Sequence, residues 1–191
     1  MSTVVLVRHG ETDLAGRFCG YSDPSLNASG KRNAIRVAGE VSRLNIARLY
    51  SSDLRRAAQT AGTIAKRSGI AVEFSTGLRE IYFGEWEGLS WHEIETRFND
   101  EAHRWLREFP LRRAPRGEPY SDFTTRIETT IAALLREASG ETVAIVTHRG
   151  VMRHVLTKLF GFAEAEASSR TAAYGATVVT ASPLSLSQVL P

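Results

Sequence analysis

Along the chain, short runs of apolar, largely β-branched residues alternate with longer stretches whose apolar positions recur at helical spacing. The runs lie at Thr3–Val7, Ala47–Ser51, Ala71–Ser75, Thr142–Thr147 and Ala176–Ala181, each of strand length. Between them the spacing predicts helices over Ser29–Leu44, Leu54–Ser68, Ser121–Ala138 and Gly150–Phe160, the first entered through the turn-rich SDPSLNASG and the last closed by Gly161. Strands alternating with helices imply a mostly parallel central sheet covered on both faces, a three-layer α/β/α sandwich. The stretch 86–119 interrupts the rhythm. It carries Trp86, Trp91 and Trp105 among several charges, and is expected to form a small, partly helical cap over one end of the sheet. No internal repeat, low-complexity tract or linker divides the chain, so residues 1–191 read as one domain.

Two of the apolar runs end on groups that resist burial. In open parallel sheets ligands bind at the carboxyl ends of the strands, and there Arg8 and His9 follow the first run while His148 follows the fourth. Either histidine alone can be a core residue satisfied by backbone groups; two at the ends of two core strands point to a shared pocket.

Composition narrows the setting. With 191 residues, 42% hydrophobic and 24% charged, the chain can bury a substantial core. No apolar run approaches the ~18 residues of a membrane span, and no basic segment precedes an apolar one at the N-terminus. A cytoplasmic protein without a membrane partner is therefore expected. The single cysteine, Cys19, has no intrachain partner for a disulfide. The pI of 9.3 rests on a net charge of only +3. The densest basic stretch, RRAPRGE at Arg112–Glu118, lies in a Pro/Gly-containing loop without interleaved aromatics, so a solvated loop is expected rather than a nucleic-acid surface.

The histidine pair fits few chemistries. No H-E-x-x-H, cysteine cluster or ligand-spaced carboxylate accompanies either histidine, so neither a metal nor another cofactor is expected. There is no G-x-S-x-G elbow, and SGKR at Ser29–Arg32 lacks the first glycine and the hydroxyl residue of a phosphate loop. What remains is histidine acting as a nucleophile, with neighbouring cations neutralising an anionic group so that an electron-rich atom can approach it.

Five ordered blocks carry a family resemblance: RHGET at Arg8–Thr12, SSDLRRAAQTA at Ser51–Ala61, LREIYFGEWEG at Leu78–Gly88, PRGEPYSDFTTRI at Pro115–Ile127, and VTHRG ending at Gly150. Together they resemble the histidine phosphatase superfamily, in its phosphoglycerate-mutase-like branch. The resemblance implies a phosphomonoesterase that forms a phosphohistidine on a small phosphorylated metabolite. It assigns His9 as nucleophile, Glu80 as proton donor and then base, and Arg8, Arg56 and His148 as phosphate ligands. The chain departs from the family pattern after the first block, where DLAG and RFCG replace a longer segment with a phosphate-binding asparagine. Thr12, Arg17 and Cys19 are the pocket candidates left there, and Arg149 after His148 is an additional cation. Mutases of the family have a larger cap insertion and a C-terminal tail, so hydrolysis is expected over mutase-type phosphoryl transfer. A module that binds phosphorylated ligands without turnover is the remaining alternative.

Overall fold

The computed structural model describes residues 2–181. Its centre is a five-stranded sheet formed by β1 (Thr3–Arg8), β2 (Arg48–Ser52), β3 (Val72–Ser75), β4 (Thr142–Thr147) and β5 (Thr177–Ala181), in the order β3-β2-β4-β1-β5. All neighbours are parallel except β5, which runs antiparallel to β1 along one edge.

Burial on both faces explains why β1 and β4 are almost continuously apolar. Val5, Val7, Ala144 and Val146 face one layer, α1 (Ala28–Val41) and α2 (Arg55–Ser68), where they meet Val37, Val41, Ala57, Ala61 and Ile64. Val4, Leu6, Val143 and Ile145 face the other layer. There they pack on α5 (Tyr120–Glu137) through Ile127 and Ile131, and on α6 (Arg149–His154) with the π-helical turn Val155–Leu159 through Val151, Val155 and Leu156. The result is the three-layer α/β/α sandwich expected from the alternation. The helix predicted over Gly150–Phe160 is α6 running into that π turn. A further helix, α7 (Glu164–Arg170), precedes β5.

The stretch between Trp86 and Pro119 contains α3 (Trp91–Arg97), entered through a Ser90/Glu93 capping box, and α4 (Asn99–Glu108). It has a core of its own, with Trp86, Ile94, Ala102 and Ala114 buried and Phe18, Phe83 and Trp105 packed against them. Phe18, from the loop after β1, ties this core to the sheet. No helix of the described residues is long and apolar enough to cross a membrane.

Candidate active site

The sheet order makes β1 and β4 neighbours, with Arg8 in register with Thr147. The residues that leave these strands, His9 and His148, therefore emerge side by side, and their ring centroids lie 5.1 Å apart. Both rings are buried. Gly10 follows His9 because the chain passes the first turn of α1 there; a Cβ on it would collide with the Gly30 carbonyl.

The protonation of His9 follows from its partners. Nδ1 lies 2.7 Å from the Gly10 carbonyl, which can only accept, so Nδ1 carries the proton. Nε2 is left with a lone pair and accepts from Arg56 Nε at 3.2 Å. Burial first, then the Arg56 cation, hold the His9 pKa well below the usual histidine range, and the same two causes act on His148. A neutral imidazole with a fixed tautomer is a competent nucleophile at Nε2.

Arg56, in the first turn of α2, is fully buried. Its Nη1 donates to the Ser22 carbonyl at 2.7 Å, and its Nη2 to the carbonyls of Gly20 at 2.8 Å and Cys19 at 3.2 Å. The 19–22 loop that supplies these acceptors is held by Glu87, whose carboxylate accepts from the backbone amides of Gly20, Tyr21, Ser22 and Phe83. Arg8 Nη1 donates to the carbonyls of Thr171 and Ala172, and its guanidinium stacks on Tyr174, 4.0 Å from the ring centroid. His148 Nε2 lies 2.9 Å from Ser52 Oγ. Among the described residues, Arg8 Nε and His148 Nδ1 are buried and meet no partner. Buried polar atoms are normally paired, so these two are suited to contact a ligand oxygen.

Glu80 is buried nearby, its Oε1 accepting from the Ile81 amide at 3.0 Å and Oε2 from the Gly150 amide at 2.8 Å. Burial raises its pKa above the usual carboxyl value, against the two amide bonds and the charges of Arg56 and Arg8. Its segment is fixed from two sides. Thr147 Oγ1 donates to the Leu78 carbonyl at 2.7 Å, and Arg126 of α5 donates to the carbonyls of Gly77, Arg79 and Glu80 while forking onto Glu118.

His9, Arg8, Arg56, His148 and Glu80 thus converge on one end of the sheet. The sequence model of the histidine phosphatase superfamily, branch 1, matches residues 4–182. The chain belongs to that superfamily. It is 30% identical over 163 residues to phosphoserine phosphatase 1 of Hydrogenobacter thermophilus, covering 84% of this chain and 77% of that one. Among solved structures, YhfR of Bacillus stearothermophilus superposes with a TM-score of 0.82 at 27% identity, over 94% of this chain and 90% of the other. A mycobacterial glucosyl-3-phosphoglycerate phosphatase superposes with a TM-score of 0.75 at 28% identity, over 88% and 84%. As a histidine phosphatase, the chain is a phosphoric monoester hydrolase.

The three pocket candidates of this histidine phosphatase fare differently. Cys19 reaches the centre through its carbonyl on Arg56, while burial pushes its thiol pKa up and keeps it protonated. Thr12 is buried, bridged to Leu26, with Oγ1 accepting from the Leu14 amide. Arg17 is engaged with the excursion, its Nη1 donating to Glu93 at 2.6 Å and to the Gly88 carbonyl at 2.8 Å. Among the described residues no group of three or more His, Cys, Asp or Glu side chains is placed to hold a metal ion. Sequence reasoning missed Ser52, Glu87, Arg126 and Tyr174. Ser52, Glu87 and Arg126 stand inside matched blocks and were open to a reading as backbone or histidine supports; Tyr174 lies in a turn with no periodic signal.

Proposed function

We propose that this histidine phosphatase hydrolyses small phosphate monoesters through a phosphohistidine on His9 Nε2. The observation that carries the reading is the His9 ring itself, with its proton held at Nδ1 and the lone pair of Nε2 turned to the Arg56 cation. In the first step Nε2 bonds to phosphorus and the ester P–O bond breaks, the departing oxygen taking the Glu80 proton. Arg8, Arg56 and His148 hold the oxygens of the transferring group, stabilising its transition state. In the second step the Glu80 carboxylate takes a proton from water as the new P–O bond forms. The N–P bond breaks, inorganic phosphate leaves, and His9 and Glu80 return to their starting forms. The raised pKa of Glu80 supports the acid role. Residues 86–119 act as the cap of this single domain, compact enough to leave water access to the phosphohistidine.

His9→Ala is expected to lower phosphatase activity by at least about 10³-fold with the circular dichroism spectrum unchanged, and acid-labile phosphate is expected to be trapped on the parent by rapid quench. A fully active His9→Ala enzyme would sink the mechanism. Net transfer of the phosphoryl group to a second acceptor hydroxyl in preference to water would replace hydrolysis by mutase-type transfer. Phosphate binding without a phosphoenzyme would make the chain a binding module.

A further inference from the structure

Glu80 has a second neighbourhood. With Gly150 it forms part of the wall of a cavity of about 410 Å³. Neither His9 nor His148 lines this space, so Glu80 is the proposed catalytic residue that the cavity shares with the phosphoryl centre. The remaining walls come from the loop after β1, residues 81–83, the excursion, the start of α5, α6 with the π turn, and the start of α7. They include Phe18, Phe83, Trp105, Phe109, Tyr120 and Phe123.

We propose that this cavity receives the alcohol part of the substrate and selects monoesters whose alcohol carries an aromatic or heteroaromatic ring. The inference rests on the reading of Glu80 as the group that protonates the leaving oxygen, because that oxygen is where the alcohol part begins.

The walls favour a flat ring for physical reasons. Phe18 meets Phe83 edge to face at 4.9 Å, Trp105 meets Phe109 at 5.0 Å, and Phe109 meets Tyr120 edge to face at 5.2 Å. Rings set at such angles offer both edges and faces, and a planar guest extends their pattern of offset and T-shaped contacts. Of the polar side chains beside them, Glu118 and one ring nitrogen of His154 are engaged, while His154 Nδ1 meets no partner among the described residues. Glu118 is forked onto Arg126, and His154 Nε2 is 2.8 Å from Glu128. A polyol or amino-acid alcohol would place several of its hydroxyl or ammonium groups against aromatic carbon, where a polar group left unpaired is costly. A three-carbon alcohol would also leave most of the volume unfilled. Four arginines line the cavity as well, of which Arg112 and Arg153 pair with Glu108 and Glu164. Arg113 and Arg149 have no carboxylate partner among the described residues, so the approach to the cavity is attractive to a phosphate dianion.

The test uses esters that share one type of unactivated leaving oxygen: ethyl, 2-cyclohexylethyl and 2-phenylethyl phosphate. The phenylethyl ester is expected to exceed ethyl phosphate by about 10-fold or more in kcat/KM, and to exceed the cyclohexylethyl ester several-fold. Phe109→Ala, at a half-exposed position, and Trp105→Leu are each expected to lower the phenylethyl value several-fold and leave the ethyl value unchanged. The Phe109 variant keeps the test decisive if the Trp105 variant folds poorly. Equal kcat/KM for ethyl and phenylethyl phosphate overturns the proposal while leaving the phosphatase reading standing. A cyclohexylethyl ester as good as the phenylethyl ester overturns the selection for aromatic rings. If none of the three esters is turned over and no phosphohistidine forms, the proposed function itself has failed.

Discussion

At the scale of single residues, the placement of Glu80 carries the most consequence. Its carboxyl rests on residue 150, where only glycine leaves room, since a Cβ there would run into Oε1. Gly150→Ala is expected to displace the carboxyl and slow alkyl phosphate hydrolysis by about 10-fold to 100-fold, with a small change in melting temperature; unchanged turnover would mean that the acid lies elsewhere. Glu80 must be protonated to serve a departing alkoxide, and burial raises its pKa. Phosphohistidine formation from an alkyl phosphate should therefore be present below that raised pKa and be lost as pH rises through it. A nitrophenolate needs no proton, so p-nitrophenyl phosphate should not show this limb. In Glu80→Gln the alkyl reaction should be slow at every pH and the limb should vanish, as single-turnover quench would show. Equal losses for the two substrates in the first step would reassign Glu80 to positioning, with Glu85 and Glu118 the next acids to test. The sequence made His9 and His148 legible because each sits where a core strand ends, while Arg56 and Glu80 were legible only through the family resemblance of their blocks. It left Tyr174 hidden, because a cation stacked on a ring from a distant turn has no local spacing.

At the scale of elements, α5 does more than cover the sheet. Arg126 projects from it to three carbonyl acceptors, those of Gly77, Arg79 and Glu80, so the helix fixes the backbone that presents the proton donor. This makes Arg126 a positioning residue. Arg126→Met is expected to lower kcat for alkyl phosphates more than for p-nitrophenyl phosphate, with KM little changed. Arg126→Lys should restore the effect only in part, since an ammonium cannot reproduce the planar fork. A uniform loss for both substrates would indicate a general structural role. The amphipathic α1, α2 and α5 were legible as elements, whereas α7, EAEASSR, buries only Ala167 and so offers no apolar stripe. The excursion was legible as a partly helical break in the rhythm but its separate core was not, because that core is closed by aromatic side chains from both ends of the segment and from Phe18.

At the scale of the molecule, the order of strands and the reversed direction of β5 arise from pairings between residues far apart in sequence, and no local pattern encodes them. The alternation of strands and helices still sufficed to place the site, since any such sheet gathers its strand ends on one edge. One feature of that edge bears on the whole surface around it. Arg56 is sealed from solvent and tethered to three carbonyls, while Arg113 and Arg149 are exposed at the cavity. Mobile ions screen exposed charges beyond about 8–10 Å but penetrate a buried site poorly. Raising ionic strength from about 0.02 to 0.5 M should then reduce the rate at which an ester arrives, seen as a several-fold fall in kcat/KM. The rate of phosphohistidine formation at saturating ester should hardly move. Arrival and transfer are thus answerable to different arginines, and background electrolyte is the variable that separates them.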